Sequence, residues 1–377
     1  MKQFAVLALI HCCAFANFYN LSGANLKALC SKEAPQWIQD QVHDDLAPYH
    51  DGITLDDVNQ SLDQVPPLIC IMIKDNKVSW RSNKDFSNDH RLLRLLDILR
   101  ESAQYVRFPD VEFLVSVLDC YDYPEYLEKT VAPVFTICKQ KTNAKAILLP
   151  EMRGYASKMI QIKQVLEAEK QMRWSEKKPI AIWRGRSTGG FLNPWDWDFY
   201  PRADLVLFSE NHPDLVDAKF SATHWCDPGV RDWLKGVYFG KFYRPVDQVI
   251  FKYQIAVDGN TFPTSLIWQL ATNSTIIKNR TGYIEWFHRG LIEGVHYLSY
   301  DSDCKDLEKV ILHLRENDEL AQRIAANATA FAVNNLTIEG AAHYLHHLLW
   351  EYSKVYQSRK EVQTLYSAMD NYNPSNE

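Results

Sequence analysis

The sequence predicts an α/β fold made of two domains. The chain has 377 residues, and at a typical ~150 residues per domain this length predicts two domains or one large one. Hydrophobic residues make up 46% of the chain and charged residues 23%, a composition that supports a sizeable core and excludes a disordered or low-complexity chain. Runs rich in β-branched residues alternate with helical patterns, and this alternation is typical of parallel α/β packing.

The first half of the chain contains three predicted strands and three predicted helices. The strands cover residues 68–73, 111–118 and 146–149, and a turn is predicted at 74–77. The helices cover residues 37–42, 90–105 and 158–174. Residues 177–179 follow the last helix and are interpreted as a linker or a boundary between domains.

The second half repeats the alternation of strands and helices. Strands are predicted at residues 180–183, 249–257, 274–278 and 296–300, and helices begin near residues 263, 305, 317 and 341. In α/β folds, ligands bind at the carboxyl ends of parallel strands. Polar residues that follow these strands are therefore the first candidates for a binding site.

The most chemically distinctive segment follows the strand at 180–183. It reads Arg184, Gly185, Arg186, Ser187 and Thr188, followed by two more glycines. Arginine pairs with a diphosphate through bidentate hydrogen bonds, and hydroxyls and glycine N–H groups add close donors. The segment is neither a Walker A sequence nor a Gly-x-Gly-x-x-Gly motif. A phosphate site and a plain glycine turn with two solvated arginines both fit these residues.

A second polar turn separates the strand at 249–257 from the helical pattern that begins near residue 263. It consists of Asp258, Gly259, Asn260 and Thr261. The amides of a helix N-terminus that follows such a turn can hold an anion or a ribose. An ordinary Asp-Gly turn also fits these residues.

The N-terminus and the cysteines leave the cellular compartment open. Residues 1–24 carry a short apolar run and a small-residue Ala14–Ala16 segment, which fit either a signal or a first buried strand. The eight cysteines show no zinc-binding spacing. Six Asn-x-Ser/Thr sequons would matter in a secretory lumen only. A bacterial cytoplasmic protein, associated with the inner membrane, and a lumenal protein both fit.

The net charge of −6 and the pI near 6.1 argue against a nucleic-acid partner, because binding to phosphate backbones requires a concentrated positive surface. No apolar run reaches the ~18 residues of a membrane span. Peripheral membrane association stays open, and the sequence does not set the oligomeric state.

Six sequence blocks in order carry a resemblance to a known family. They read IAIWRGRSTG, SENHPDLVDAKFS, FKYQIAVDGNTFPTSLIWQL, NSTIIK, YIEWF and GVHYLSY, and FPDVEFLVSVLD lies upstream. Over roughly residues 105–350, the chain resembles glycosyltransferase family 90, which includes Rumi-type protein O-glucosyltransferases, fungal capsule xylosyltransferases and bacterial lipopolysaccharide core-modifying transferases. The resemblance implies a GT-B-like fold of two Rossmann-like lobes with a cleft between them. It also implies a metal-independent, inverting reaction that uses a UDP-sugar as donor substrate and needs no cofactor.

The resemblance assigns the donor-site residues. The phosphate-contacting segment of the family matches Arg184, Gly185, Arg186, Ser187 and Thr188, and its nucleotide-side turn matches Asp258, Gly259, Asn260 and Thr261. Many relatives carry an arginine where this chain has Ser265, which leaves one diphosphate contact to be supplied by Arg184, Arg186 or Lys278. Glu285 matches an acidic position that could hold ribose or sugar hydroxyls.

The resemblance also points to a catalytic base just after the predicted strand at 111–118. The acceptor hydroxyl must lose a proton as it attacks the anomeric carbon, and a carboxylate is the expected base. Counting without gaps selects Asp119, whereas the Asp-Tyr-Pro similarity selects Asp122. We favour Asp119, because a strand end fixes a side chain better than a loop does. A capping role fits either residue.

The resemblance implies three segments after residue 24. Residues 25–176 form the acceptor-side lobe, 177–340 the nucleotide-sugar lobe, and 341–377 a C-terminal helix and tail that pack on the N-terminal lobe. The implied activity is transfer of glucose or xylose from a UDP-sugar to a hydroxyl of a glycan acceptor of the lipopolysaccharide type. Two alternatives stay open: a protein O-glucosyl- or xylosyltransferase acting on serine in a secretory lumen, and a glycan-binding protein whose catalysis has lapsed.

Four histidines are interpreted as structural. His212 and His224 flank one of the matching blocks without a second metal ligand at helical spacing, so a hydrogen-bonded structural role is expected for each. His346 and His347 lie beside leucines in a helical pattern and are expected at the edge of the core and on the surface.

Overall fold

The computed structural model describes residues 21–152 and 154–357. The chain divides into two compact units. Among the described residues, 21–152 and 338–357 belong to the first unit and 154–337 to the second. Most of the N-terminal segment interpreted as a signal or first strand lies outside the described residues, as does the tail after residue 357.

Helices and strands alternate along the described chain. The helices are α1 (Gly23–Cys30), α2 (Gln36–Leu46), α3 (Leu55–Gln64), α4 (His90–Ser102), α5 (Pro124–Leu127), α6 (Tyr155–Glu169), α7 (Pro201–Asn211), α8 (Pro228–Val237), α9 (Leu266–Gln269), α10 (Leu307–Glu316), α11 (Asp318–Asn335) and α12 (Ile338–Val355). The strands are β1 (Ile53–Thr54), β2 (Leu68–Lys74), β3 (Lys77–Ser82), β4 (Val111–Ser116), β5 (Val134–Thr136), β6 (Lys139–Gln140), β7 (Ala146–Leu148), β8 (Lys178–Arg186), β9 (Val216–Ala222), β10 (Phe251–Ala256), β11 (Thr275–Asn279), β12 (Tyr283–Ile284), β13 (Tyr297–Tyr300) and β14 (Tyr356–Gln357).

The sheet of the first unit has the strand order β3-β2-β4-β5-β7. Strands β4, β5 and β7 run parallel, whereas β2 is antiparallel to both β3 and β4. The two-residue turn between β2 and β3 explains the antiparallel pair, since Asp75 and Asn76 adopt positive φ angles of 49° and 61°, as tight hairpin turns require. The turn predicted at 74–77 therefore connects an antiparallel hairpin, whereas the sequence predicted parallel packing.

Helix α12 belongs to the first unit, although it follows the second unit in the chain. It packs against α1 and α2. The Tyr344 hydroxyl donates to the Leu148 carbonyl at 3.1 Å, and the Tyr352 hydroxyl donates to the Glu112 carbonyl at 2.9 Å. Strand β14 then pairs in parallel with β1. The helix thus fastens the last described residues to strands formed early in the chain.

His343 in α12 should make the free energy of unfolding depend on pH. Burial, with smaller contributions from His346 and His347, lowers the pKa of His343 from 6.5 to about 4. Between these pH values the unfolded chain binds a proton that the native state does not, so the free energy of unfolding should fall as the pH drops from 6.5 toward 4. Urea unfolding at a series of pH values measures this slope. His343→Leu should reduce it, and the same substitution at exposed His90 should not; an unchanged slope in His343→Leu would exclude His343 as its source.

The sheet of the second unit is entirely parallel, in the order β13-β11-β10-β8-β9. Helix α7 packs on β9, α11 on β11 and α10 on β13. Buried aromatic and aliphatic side chains from the strands and from these helices form one continuous core. The strands predicted at 180–183, 249–257, 274–278 and 296–300 correspond to β8, β10, β11 and β13.

Two features of the second unit differ from the sequence predictions. Helix α6 lies in this unit and not in the lobe that precedes residue 177, because it packs against α9 and against residues 245–250. Strand β9 was not predicted, although its buried apolar residues alternate with half-buried Asp217 and Lys219 in the period-2 pattern of a strand with one buried face. The α/β class with two lobes is confirmed.

Three further observations on the described residues concern thiols, metal ligands and the apolar character of the helices. The six cysteines in the described part of the chain are all free thiols. Residues 21–152 and 154–357 contain no group of three or more His, Cys, Asp or Glu side chains placed to hold a metal ion. Among the described helices, none has both the length and the apolar character needed to span a membrane.

Candidate active site

The candidate site lies where β8 and β10 end in the second unit. The residues that follow β8 are held by the neighbouring strand: the Ser187 amide donates to the Ala222 carbonyl at 3.0 Å, and the Ser187 hydroxyl accepts from the His224 amide at 2.9 Å. Ser187 is almost completely buried. Its hydroxyl therefore positions the segment after β9, which differs from the expected direct contact with a phosphate.

Arg184 is fully engaged within the second unit. Its Nη2 contacts both carboxylate oxygens of Asp217 at 2.8 and 2.9 Å, and its Nη1 donates to the carbonyls of Trp183 and Asp217 at 2.8 and 2.7 Å. Its Nε donates to the Lys241 carbonyl at 2.9 Å. A guanidinium has five N–H donors, so this arrangement leaves none for a diphosphate. The expectation that Arg184 faces the leaving group is therefore replaced by a structural role that joins β8, β9 and residue 241.

Arg186, unlike Arg184, is exposed and available to a ligand. Its guanidinium has no hydrogen bond or ion pair to any described residue. It ends β8, at the carboxyl edge of the sheet where α/β folds bind ligands. Arg186 is thus the cation of the predicted segment that remains available for a phosphate.

The turn after β10 meets the loop after β8. The Asn260 carboxamide oxygen accepts from the Gly189 amide at 3.0 Å, and the Gly259 amide donates to the Thr261 carbonyl at 3.1 Å. Asn260 itself is exposed, whereas Thr261 is buried. The structure therefore brings the two predicted polar segments together.

Asp258 and Lys278 face each other inside the second unit. The Lys278 ammonium lies 3.6 Å from an Asp258 carboxylate oxygen, and both side chains are more than nine-tenths buried. The Asp258 amide donates to the Asn279 side-chain oxygen at 3.1 Å. Burial raises the pKa of Asp258, and the nearby Lys278 charge opposes that shift. Lys278 is consequently paired beneath the turn, which disfavours it among the three candidates for the missing diphosphate contact.

Arg202, which the sequence analysis did not select, links the two segments. Its Nη1 donates to the Arg186 carbonyl at 2.9 Å and to the Thr188 hydroxyl at 2.5 Å. Its Nε donates to the Asp258 carbonyl at 3.1 Å. Burial lowers the pKa of Arg202 to about 10, and the charge of Asp258 opposes this shift.

One sequence signal could have identified Arg202. It lies in the first turn of α7, where a cation opposes the helix dipole and a carboxylate is usually preferred. An arginine at such a position requires a compensating partner. Here the partners are the oxygens of the two loops, so Arg202 is a positioning residue for the site.

The close approach of these loops predicts that Gly259→Ala weakens the site. A Cβ atom at residue 259 would lie 2.3 Å from the Thr188 hydroxyl oxygen and 2.8 Å from Arg202 Nη2. The turn must shift to relieve these contacts, at a cost of about 1–3 kcal/mol. Thermal unfolding and UDP titration should both report the loss. Gly236→Ala is the matched control, because no atom lies within 4 Å of the added Cβ; equal effects of the two substitutions would refute this account.

Ser265 and Glu285 lie next to the ends of α9 and β12, respectively. Ser265 precedes α9, and its hydroxyl donates to the Gln269 side-chain oxygen at 3.2 Å. Glu285 is buried, and its amide donates to His288 Nδ1 at 3.0 Å. The role of Glu285 toward ribose or sugar hydroxyls stays a prediction, as does the compensation for the serine at 265.

The two candidate bases lie in the first unit and differ in their surroundings. Asp119 follows β4, is half exposed, and forms an ion pair with Arg91. Arg91 also donates to the Val117 carbonyl at 2.6 Å. Asp122 instead accepts from the Gln140 amide at 3.1 Å and from the Asn143 side chain at 2.7 Å. Asp122 is therefore committed to local structure, and Asp119 is the more accessible carboxylate.

The histidines near the matching blocks make structural contacts. His212 stacks on Phe208 with ring centroids 4.1 Å apart, and His224 stacks on Trp225 at 5.2 Å. His346 contacts the Arg107 carbonyl through Nε2 at 3.1 Å. These contacts agree with the structural roles expected for all three.

Comparison with known proteins decides the family. The family model described as glycosyl transferase family 90 matches residues 30–372. The chain belongs to this family. The class of enzyme expected from the sequence, a glycosyltransferase, is thereby confirmed at the level of the family.

Curated relatives and solved structures show more distant similarities. Rat protein O-glucosyltransferase 1 is 26% identical over 275 residues, covering 69% of this chain and 65% of the relative. Zebrafish protein O-glucosyltransferase 2 is 26% identical over 301 residues, covering 77% and 56%. The chain thus spans less than two thirds of the length of either relative. The structure of Anabaena HepE in complex with UDP and glucose is 13% identical with a TM-score of 0.39, covering 59% of this chain and 64% of that one.

Proposed function

We propose that this member of glycosyl transferase family 90 transfers a sugar, glucose in the first instance and xylose as the alternative, from a UDP-sugar to an acceptor hydroxyl. One observation carries the proposal: the loop after β8 and the turn after β10 meet at the carboxyl edge of a parallel sheet beside the uncommitted guanidinium of Arg186. Such an edge is where α/β folds bind nucleotides. Family membership supplies the reaction class.

In the proposed reaction, an acceptor oxygen attacks the anomeric carbon of the donor. The new carbon–oxygen bond forms as the bond to the diphosphate breaks, which inverts the anomeric configuration. Asp119 accepts the proton of the acceptor hydroxyl, and UDP leaves with the electron pair of the broken bond. A carboxylate base suits this proton transfer.

The charge that develops on the diphosphate is assigned to Arg186, whose guanidinium has no hydrogen bond or ion pair to a described residue. An arginine at this position stabilises the negative charge of the leaving group through charge-assisted hydrogen bonds. Arg202 fixes both loops through its bonds to Thr188 and Asp258. Arg184 maintains the strand end from which Arg186 projects.

The acceptor is assigned first to a glycan hydroxyl. The second candidate is a protein side-chain hydroxyl, which the names of the rat and zebrafish relatives favour at 26% identity. An acceptor screen with UDP-glucose, using glycans in one arm and folded protein domains in the other, separates the two.

Isothermal titration with UDP, UDP-glucose and UDP-xylose in the presence of EDTA tests the donor assignment. We expect metal-independent binding of UDP and a preference for one sugar. An Arg186→Gln variant should bind UDP more weakly. Absence of binding to all three ligands, or binding that requires a divalent cation, would overturn the proposed donor site.

A further inference from the structure

The second unit exposes a group of large aromatic side chains next to the candidate active site. Phe191, Trp195, Phe199 and Trp225 are 54%, 87%, 76% and 61% exposed. They lie on two loops, one after β8 and one after β9, and we call these four residues the aromatic surface. Several large exposed apolar side chains on two loops are typical of an interaction site.

Backbone pairing holds the two loops together. Leu192 and Cys226 form an isolated parallel bridge, in which the Leu192 amide donates to the Trp225 carbonyl at 2.9 Å and the Asp227 amide donates to the Leu192 carbonyl at 2.8 Å. Phe191 and Trp225 are therefore neighbours on adjoining chain segments.

An inward-facing aromatic residue anchors the first loop. Trp197 packs against Trp233 at 4.8 Å and against Tyr238 at 5.5 Å between ring centroids. Its neighbours Trp195 and Phe199 are exposed on the same loop. The loop thus packs one partly buried aromatic ring against the core and presents two others to solvent.

Trp225 is held in an unfavourable backbone conformation. Its φ angle is +47°, a left-handed value that is uncommon for a bulky residue. Such strain persists where the surrounding structure enforces it, often at functional sites. The bridge to Leu192 and the stacking on His224 are the enforcing contacts.

Trp225, on the loop after β9, lies close to the first residues of the loop after β8. Ser187 accepts from the His224 amide, one residue before Trp225. The Tyr200 ring occupies the space where a Cβ at Gly190 would lie, 2.2 Å from its nearest ring carbon. A ligand on the aromatic surface would therefore lie next to the proposed diphosphate site.

The charge of the loop restricts the chemistry of the ligand. Residues 187–201 contain Asp196 and Asp198 and no lysine or arginine, and the exposed Arg186 that precedes them is assigned to the diphosphate. These carboxylates repel phosphorylated glycans and anionic lipids, and basic residues are what a membrane surface requires. Carboxylates accept hydrogen bonds from sugar hydroxyls, and aromatic rings offer apolar faces with little conformational freedom.

We propose that the aromatic surface is an acceptor subsite that stacks the rings of a neutral glycan. The inference rests on the proposed function and narrows its acceptor to uncharged oligosaccharides. Trp225 provides the fixed ring nearest the phosphate-side loop, and Trp195 and Phe199 extend the contact along the glycan.

An array of neutral and anionic oligosaccharides, probed with the full chain in the presence of UDP, tests the subsite. We expect retention of neutral glycans, and roughly tenfold weaker retention by Trp225→Asn as the stacked ring is lost. Asparagine tolerates the left-handed backbone, so this variant preserves the loop. Trp350→Gln, which removes a partly exposed tryptophan of the first unit, is the control and should retain the wild-type signal.

Each other outcome overturns the subsite. These are a silent array, retention of anionic glycans alone, and unchanged retention by Trp225→Asn. Binding of UDP by the same preparations, measured by titration, separates the two proposals. A chain that binds UDP and retains no neutral glycan refutes the subsite alone, whereas a chain that does not bind UDP refutes the donor site on which the subsite depends.

Discussion

Replacing Asp119 by asparagine is expected to reduce the rate of sugar transfer by about 10²–10⁴-fold, the usual contribution of a general base. Asparagine cannot accept the acceptor proton, although it keeps the shape of the side chain and a hydrogen bond to Arg91. The affinity for UDP should not change, because the loops proposed to bind the nucleotide belong to the second unit. Initial rates with UDP-glucose and a UDP titration measure the two quantities.

Asp122→Asn is the matched control for this experiment. Asp122 accepts two hydrogen bonds from Gln140 and Asn143, so its replacement should lower the free energy of unfolding by about 1 kcal/mol per weakened bond. Transfer at a temperature where the variant is folded should stay near the wild-type rate. If Asp122→Asn loses transfer and Asp119→Asn keeps it, the base is Asp122.

Replacing Arg186 and Arg184 by alanine should produce opposite effects. Arg186→Ala is expected to weaken UDP binding by about 10–100-fold, which corresponds to loss of one charge-assisted hydrogen bond of roughly 1.5–3 kcal/mol. Its thermal stability should not change, because its guanidinium forms no hydrogen bond or ion pair with a described residue. Arg184→Ala is expected to lower the free energy of unfolding by about 2–3 kcal/mol, because it removes the donor to the Asp217 carboxylate and to three backbone carbonyls.

Thermal unfolding and UDP titration of both variants distinguish these roles. Lys219→Ala serves as a control, since it removes a cation from the same sheet without disturbing an ion pair in the described structure. The assignment is wrong if Arg186→Ala binds UDP as tightly as the unmodified chain. It is equally wrong if Arg184→Ala unfolds at the unchanged temperature.

The positions of the candidate loops could be predicted from the sequence, whereas the partners of their side chains could not. Apolar runs ending in Arg-Gly-Arg and in Asp-Gly-Asn placed both segments at strand ends, and hydrogen bonding between Gly189 and Asn260 brings them together. The ion pair of Arg184 depends on Asp217, 33 residues away on an unpredicted strand. The sequence shows the charge of a residue and not its neighbours in space, so Arg184 and Arg186 were indistinguishable before the structure.

The division of the chain into two units depended on similar long-range contacts. Helix α6 has no charged or apolar signature that selects one unit over the other. Its position follows from packing on α9 and on residues 245–250, which lie far along the sequence. Arg202 escaped notice for the same reason, since its partners come from loops 14 to 56 residues distant.

The interrupted chain path of the first unit has a consequence for biosynthesis. Residues 21–152 cannot complete their packing until α12 and β14 emerge from the ribosome, after all of residues 154–337 have been made. The second unit is continuous and can fold as soon as it is synthesised, which reverses the usual order in which the N-terminal domain folds first. Until then, the apolar residues of first-unit strands such as β2 stay exposed in the nascent chain. Chaperones should therefore bind mainly to residues 21–152 during translation.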